Sequence, residues 1–339
     1  MPAPIRHNPS GRTDAHGAPP VRGMKRLRRA RMALARRIAG PHAHVSTRPD
    51  GRERRVFFLR GAPRSGTNWA AALLNLHPKV ICEGEFHLEN FIEVAQRHVA
   101  AEHHATSHEP ARAELLAGVE DLVERTIRAG LALSPGAEWV GDRTPRPVRE
   151  LIAGAPIIWM CRDGRDVLVS WMYHLLRTNA PKIGGAERMK GAFGDDYDAY
   201  KRDPSHFNVY PEHLLGDETL VRELSRTWGE HIRNDLDALD RIGRDAPTLK
   251  VRYEDLLADT EARRTRMYEL LGLDPGEARP IGRRDRTAPG FDEKPGSFYR
   301  KGEAGDWKHY FVNDDARRWF AEEAGAALVE LGYERSTDW

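Results

Sequence analysis

Cysteine is nearly absent from this chain: 339 residues contain two, Cys82 and Cys161. Two cysteines cannot build the multi-bridge framework of a small secreted domain, and this pair lacks metal-ligand spacing. Both stand beside apolar residues at expected strand ends, which predicts buried free thiols and a reducing compartment. Long apolar runs are missing too. Nothing approaches the roughly 18 apolar residues of a membrane span. The N-terminus has no apolar h-region, so no secretory leader is expected and a cytoplasmic location is. There is no internal repeat. Charge of one sign is also lacking overall: 53 Lys and Arg face 51 Asp and Glu, a net of +2. That balance excludes a polycation, and no nucleic-acid partner is implied.

The charge is uneven along the chain. Residues 1–55 hold 14 Lys or Arg against 3 Asp or Glu, a net of +11, which leaves −9 for the remainder. Residues 1–22, rich in Pro, Gly, His and Arg, are expected to be disordered. From Met24 to Ile38, Leu27, Leu34 and Ile38 recur at helical spacing among arginines, the pattern of a basic amphipathic helix. Its apolar face is narrow, so weak contact with an anionic surface is the most it implies. We therefore divide the chain into a basic, largely flexible arm, 1–55, and a body, 56–339.

The body reads as one α/β domain. Apolar runs at Val56–Leu59, Lys79–Cys82, Glu138–Gly141, Pro156–Cys161 and Thr248–Val251 suit strands. Helical patterns stand between them: Trp69–Leu76, Glu83–Val99, Glu109–Leu133, Pro147–Ala153, Arg165–Arg177 and Leu220–Leu239, followed by Glu261–Leu271 and Asp314–Leu331. Strands alternating with helices predict a central parallel sheet of four or five strands flanked by helices. Thr178–Leu215 is long for a plain connection and is expected to be a lid or substrate loop.

The body opens on Val56–Trp69, a strand, a tight loop and a helix start. A helix N-terminus presents backbone N–H groups and a positive dipole end to an anion. Gly61 and Gly66 frame four residues, as in a phosphate-binding loop. That motif needs a lysine after the second glycine; Thr67 stands there, and the cation is Arg64 inside the loop. The loop therefore suits a phosphate-like anion rather than a nucleoside triphosphate with magnesium.

Arg64-Ser65-Gly66-Thr67-Asn68-Trp69 resembles the 5′-phosphosulfate loop of the PAPS-dependent sulfotransferases (PAPS is 3′-phosphoadenosine-5′-phosphosulfate). Two later segments agree. In Cys161–His174, Arg162 and Ser170 keep the family's eight-residue spacing, which implies that they grip the 3′-phosphate; a guanidinium fork suits that group. Tyr299-Arg300-Lys301-Gly302-Glu303-Ala304-Gly305-Asp306-Trp307-Lys308 resembles the family's C-terminal segment, which implies that Arg300, Lys301 and Gly302 meet the same phosphate. Trp69 and Tyr253 match aromatic residues that lie by the adenine, and Trp69 would equally suit a core. Gly141-Asp142-Arg143-Thr144-Pro145 resembles a Gly-Asp-Lys-Thr-Pro turn of bacterial and Golgi-type members. The matches span roughly Val56 to Phe311.

The resemblance implies sulfuryl transfer from PAPS to a hydroxyl or amine of a small molecule or carbohydrate, with no metal. It departs from cytosolic members in two ways. Arginine replaces their loop lysine at position 64, as in the tyrosylprotein and several bacterial branches, and it assists only electrostatically because it does not deprotonate. Their catalytic histidine has no counterpart. Glu85, at the spacing of the tyrosylprotein branch's glutamate, is the first choice of base, with His87 and Glu83 behind it; Glu85 would also suit a helix N-terminus. A P-loop-type kinase and a non-catalytic nucleotide-binding protein remain open.

Overall fold

The computed structural model describes residues 55–101, 108–129, 136–149, 151–152, 154–178, 185–243, 245–282, 287–288 and 301–339. The expected basic arm, except Arg55, lies outside these residues, as does Arg300. The chain opens with β1 (Arg55–Arg60), α1 (Thr67–Leu74) and β2 (Val80–Gly84), then α2 (Glu89–Ala100) and α3 (Glu109–Ala129). β3 (Trp139–Asp142), β4 (Ile157–Cys161) and α4 (Gly164–Thr178) follow. Four short helices come next: α5 (Gly185–Phe193), α6 (Asp195–Arg202), α7 (His206–Val209) and α8 (Pro211–Leu214). The long α9 (Glu218–Ile242) leads to β5 (Thr248–Arg252), α10 (Tyr253–Ala258), α11 (Thr260–Leu270) and the C-terminal α12 (Asp314–Glu330).

The five strands form one sheet in the order β2-β3-β1-β4-β5, every neighbouring pair parallel. A parallel sheet is covered on both faces, so its central strands are apolar throughout and alternate between two cores. Val56 and Phe58 of β1 join Ile157, Trp159 and Cys161 of β4 in the core shared with α4, α9 and α12. Phe57, Leu59, Ile158 and Met160 point to the core shared with α1 and α11. Both cysteines are buried free thiols; burial pushes Cys161 up to about 12 and Cys82 upward as well.

Asp163 caps α4, its carboxylate accepting the Arg165 N–H at 2.9 Å. Two expectations fail. The described residues of Pro147–Ala153 form no helix, because Val148 N–H is drawn to the Asp235 carboxylate of α9 at 2.6 Å. The stretch expected to be a lid instead carries α5–α8, whose Phe193, Tyr197, Tyr200 and Phe207 are buried in the main core.

All five strands run the same way, so their C-terminal ends share one edge. The chain moves outward from β1 to β2, returns through β3, and crosses to β4 on the far side of β1. A crevice forms at such a reversal of winding.

Candidate functional site

A cavity of 360 Å³ sits at this edge. Its lining comes from the loop after β1 (Pro63, Arg64, Gly66), the start of α1 (Thr67, Asn68, Trp69) and the segments following the other strands. Glu85 follows β2, Pro145 follows β3, Arg162 follows β4 and Tyr253 follows β5. Ser170, Trp171 and His174 reach it from α4, and Gly302 from the C-terminal segment. Three stretches far apart in sequence therefore meet in one cavity. Of the other expected site residues, Ser65, His87 and Lys301 do not line it.

Glycine is required at both ends of the loop. A Cβ on Gly61 would lie 2.4 Å from the Met160 carbonyl oxygen, and one on Gly66 2.5 Å from the Tyr253 ring. Gly66 is left-handed, with φ 97°, which costs glycine nothing. Arg64 is also left-handed, with φ 73°. A non-glycine residue held there is strained, and such strain clusters at functional sites. The strained turn aims the guanidinium across to α4, where Nε donates to Ser170 Oγ at 3.1 Å.

The Ser65 N–H is taken by the Ala62 carbonyl at 3.1 Å, and its hydroxyl by the same oxygen at 2.6 Å. Ser65 thus shapes the turn. The first-turn geometry of α1 leaves the N–H groups of Gly66, Thr67 and Asn68 for an anion.

Arg162 is buried beside the loop. It donates to the Glu303 carbonyl at 2.7 Å and the Arg64 carbonyl at 3.4 Å, and its guanidinium stacks 4.2 Å from the Tyr253 ring centre. Its Nε has no hydrogen-bond partner although buried. Asp166 lies 3.9 Å away and accepts the Gly305 and Trp307 N–H groups at 2.7 and 2.8 Å. That carboxylate therefore ties the C-terminal segment to α4; burial pushes it above its ordinary range against the pull of Arg162 and the two N–H groups. Tyr253 OH donates to the Gly302 carbonyl at 2.6 Å, while Lys301 turns to Asp306 at 3.2 Å. Trp69 is 2% exposed, donates its indole N–H to the Thr287 carbonyl at 3.0 Å and meets Tyr253 edge-on at 5.6 Å. It is both a core residue and part of the cavity wall.

Glu85 sits at the opposite side, paired with Arg143 at 2.7 Å and with His87 Nε2 at 3.4 Å. Arg143 also donates to the Asn68 side chain, so it links the start of α1 to the carboxylate. His87 is left-handed, with φ 51°, and its N–H is held by Thr144 Oγ1 at 3.1 Å.

Arg143, Trp171 and His174 carry no role in the sequence reading. The Gly-Asp-Arg-Thr-Pro turn pointed to Arg143 without showing its partners. His174 follows Ser170 by one helical turn, which puts both on one face of α4. Its pKa is pushed down to about 4 by burial, with Arg64 and Arg177 adding to the effect, so the ring is neutral at pH 7.

A family model described as "Sulfotransferase family" matches residues 57–217, and one described as "Sulfotransferase domain" matches residues 153–322. The chain is similar to the nodulation protein NoeE of Sinorhizobium fredii, at 28% identity over 224 residues. That stretch covers 65% of this chain and 50% of NoeE, so the chain spans about half the length of that relative. Among solved structures it is similar to the sulfotransferase domain from the curacin biosynthetic pathway, at 15% identity and TM-score 0.43, covering 84% of this chain and 99% of that one. It is also similar to mouse sulfotransferase SULT7A1 complexed with PAP, at 16% identity and TM-score 0.43, covering 82% and 85% respectively.

Proposed function

The chain belongs to the sulfotransferase family, and on that premise we propose that it transfers a sulfuryl group from PAPS to an acceptor hydroxyl of a small molecule or carbohydrate. The observation that carries the reading is the convergence of Arg64, Arg162, Ser170, Tyr253 and Gly302 on one cavity that also holds Glu85. The residues fit the donor. Arg162 keeps a buried Nε without a partner, and the walls formed by Trp69 and Tyr253 suit a purine. Arg162, Ser170 and Gly302, joined by Arg300 and Lys301, would hold the 3′-phosphate. Arg64 and the N–H groups of Gly66, Thr67 and Asn68 would hold the 5′-phosphosulfate.

PAPS supplies an activated sulfuryl group. The bond from sulfur to its bridging oxygen breaks, and a bond from sulfur to the acceptor oxygen forms. Glu85 takes the acceptor proton. Arg64 neutralises the charge that builds on the departing phosphate oxygen, a fixed electrostatic contribution. Arg143, paired with Glu85 at 2.7 Å, holds the carboxylate toward the cavity. His87 is the alternative base, one contact behind it. This reading uses no metal.

A kinase is not favoured. Thr67 occupies the place of its lysine, and Arg162 follows β4 where a magnesium-binding acid would be wanted. The discriminating experiment is thermal unfolding, with PAP, AMP and ATP offered in EDTA and Mg-ATP offered without it. 3′-Phosphoadenosine-5′-phosphate (PAP) should raise the unfolding temperature far more than AMP or ATP. Equal stabilisation by Mg-ATP and PAP would overturn the reading in favour of a kinase.

A further inference from the structure

We infer that Asp196, His206 and His213 form a binding site for a divalent transition-metal ion of the zinc class, separate from the sulfuryl-transfer cavity. None of the three lines that cavity. Asp196 lies in the first turn of α6, His206 opens α7 and His213 belongs to α8. Asp196 Oδ1 is 2.7 Å from His206 Nε2 and 3.1 Å from His213 Nδ1. One nitrogen of each ring thus converges on a single carboxylate oxygen, and donor atoms of all three residues lie within 4.8 Å of one another. A tetrahedral ion with bonds of ~2.0–2.1 Å separates its ligand atoms by ~3.4 Å. Seating the ion therefore requires the carboxylate oxygen to part from the two nitrogens by only ~0.3–0.7 Å.

The surroundings hold the rings in place. His213 stacks on Tyr210 at 5.7 Å and 17°, and His206 packs against Phe207 at 5.0 Å and Tyr210 at 5.1 Å. Glu212 Oε1 lies 3.8 Å from His213 Nε2, the nitrogen away from Asp196.

Two imidazoles and one carboxylate suit zinc and its nickel and copper neighbours; magnesium and calcium prefer oxygen donors throughout. The His206 side chain is 14% exposed and that of His213 44%, so the site is partly shielded and reachable from one side. The ion would tie together three helices, two of them only four residues long. Such helices are not stable alone.

The test uses the full chain, tag-free and stripped with EDTA, with zinc chloride as the probe. The chain has 15 histidines, so zinc binding to wild type alone does not decide the matter. His213→Gln and Asp196→Asn are compared with wild type by metal content after dialysis and by thermal unfolding. Zinc should raise the wild-type unfolding temperature and magnesium should not. Both variants should bind one equivalent less and lose the rise, with circular dichroism unchanged. The same zinc content and the same rise in all three proteins would overturn the proposal, leaving a hydrogen-bonded cluster only. Cobalt absorption of wild type gives a second measurement. Intense tetrahedral bands support the site, and the weak bands of octahedral, surface-held cobalt overturn it. None of these readings involves sulfuryl transfer, so the result is independent of the cavity's function.

Discussion

Arg64 and Glu85 reach the cavity from different supports, and the difference separates their expected effects. Arg64 is held by a strained turn and a bond to Ser170, Glu85 by Arg143. In the proposed reaction Arg64→Ala should lower turnover ~100- to 1000-fold. PAP should still stabilise the variant through Arg162. Glu85→Gln should cost ~100- to 10,000-fold in rate with PAP binding nearly unchanged, and should remove the acid limb of the pH–rate profile. If Glu85→Gln keeps near-normal turnover while His87→Ala abolishes it, the base is His87. His174 yields a stability measurement. Its folded pKa of about 4 lies below the ordinary 6.5, so the unfolded chain binds the extra proton first as pH falls. Its contribution to stability is present above about 6.5 and lost as pH falls from there to about 4. His174→Phe should flatten the loss of stability across that window in denaturant titrations; an unchanged slope would show that the half-buried ring does not resist protonation in the folded chain. The residues that local pattern marks, such as Arg64 in its loop or Arg162 at a strand end, were legible in sequence. Arg143 was not, because its role rests on Asn68 and Glu85, 75 and 58 positions away, which only the closed sheet brings together.

At the scale of elements, the short segment from Glu85 to His87 hangs on a buried polar network. Arg60, fully buried at the end of β1, pairs with Glu89 at 2.6 Å and Asp142 at 3.0 Å. Asp142 Oδ1 accepts the Thr144 N–H at 3.0 Å and hydroxyl at 2.7 Å, and the Phe86 N–H at 3.3 Å. Thr144 Oγ1 in turn accepts the His87 N–H. The network fixes the backbone of the two residues that follow the proposed base. Thr144→Val keeps the shape and removes the hydroxyl, leaving the His87 N–H without its acceptor and Asp142 Oδ1 with one donor fewer, at a cost of ~1–3 kcal/mol. Urea denaturation should show that loss. Turnover should fall while the PAP-induced rise in unfolding temperature stays, because the nucleotide end is built on other elements. A drop in PAP response equal to the drop in turnover would count against this separation. Among the described residues, sequence pattern located each of the five strands, since buried parallel strands are continuous apolar runs. It failed between them where long-range contacts decide. Val148 is captured by Asp235, and the described residues 185–214 fold as helices because Tyr173 of α4 offers Tyr200 and Phe207 an aromatic surface.

On the scale of the whole molecule, charge and core are separated along the chain. The net +11 belongs to residues 1–55, whereas the described buried core begins at Val56 and every residue lining the cavity falls between Pro63 and Gly302. Arg55 belongs with the sheet: its N–H donates to the Glu138 carbonyl at 3.0 Å, and its guanidinium lies 5.5 Å from the Trp139 ring centre. A cut meant to isolate the catalytic body therefore falls between Arg54 and Arg55. A chain of residues 55–339 should fold, with the same PAP-induced stabilisation and the same turnover as the full chain. What it should lose is retention on vesicles containing anionic lipid. That retention, if carried by the arm's charge, should be weak in the full chain and fall further with added salt, because screening acts over ~8–10 Å at 0.1–0.15 M. Two outcomes are informative against this view. If the truncated chain is insoluble or unresponsive to PAP, the arm belongs to the folded domain and the division near residue 55 is wrong. If vesicle retention survives truncation, the contact lies on the body, whose net charge of −9 would require a local basic or apolar surface rather than long-range attraction.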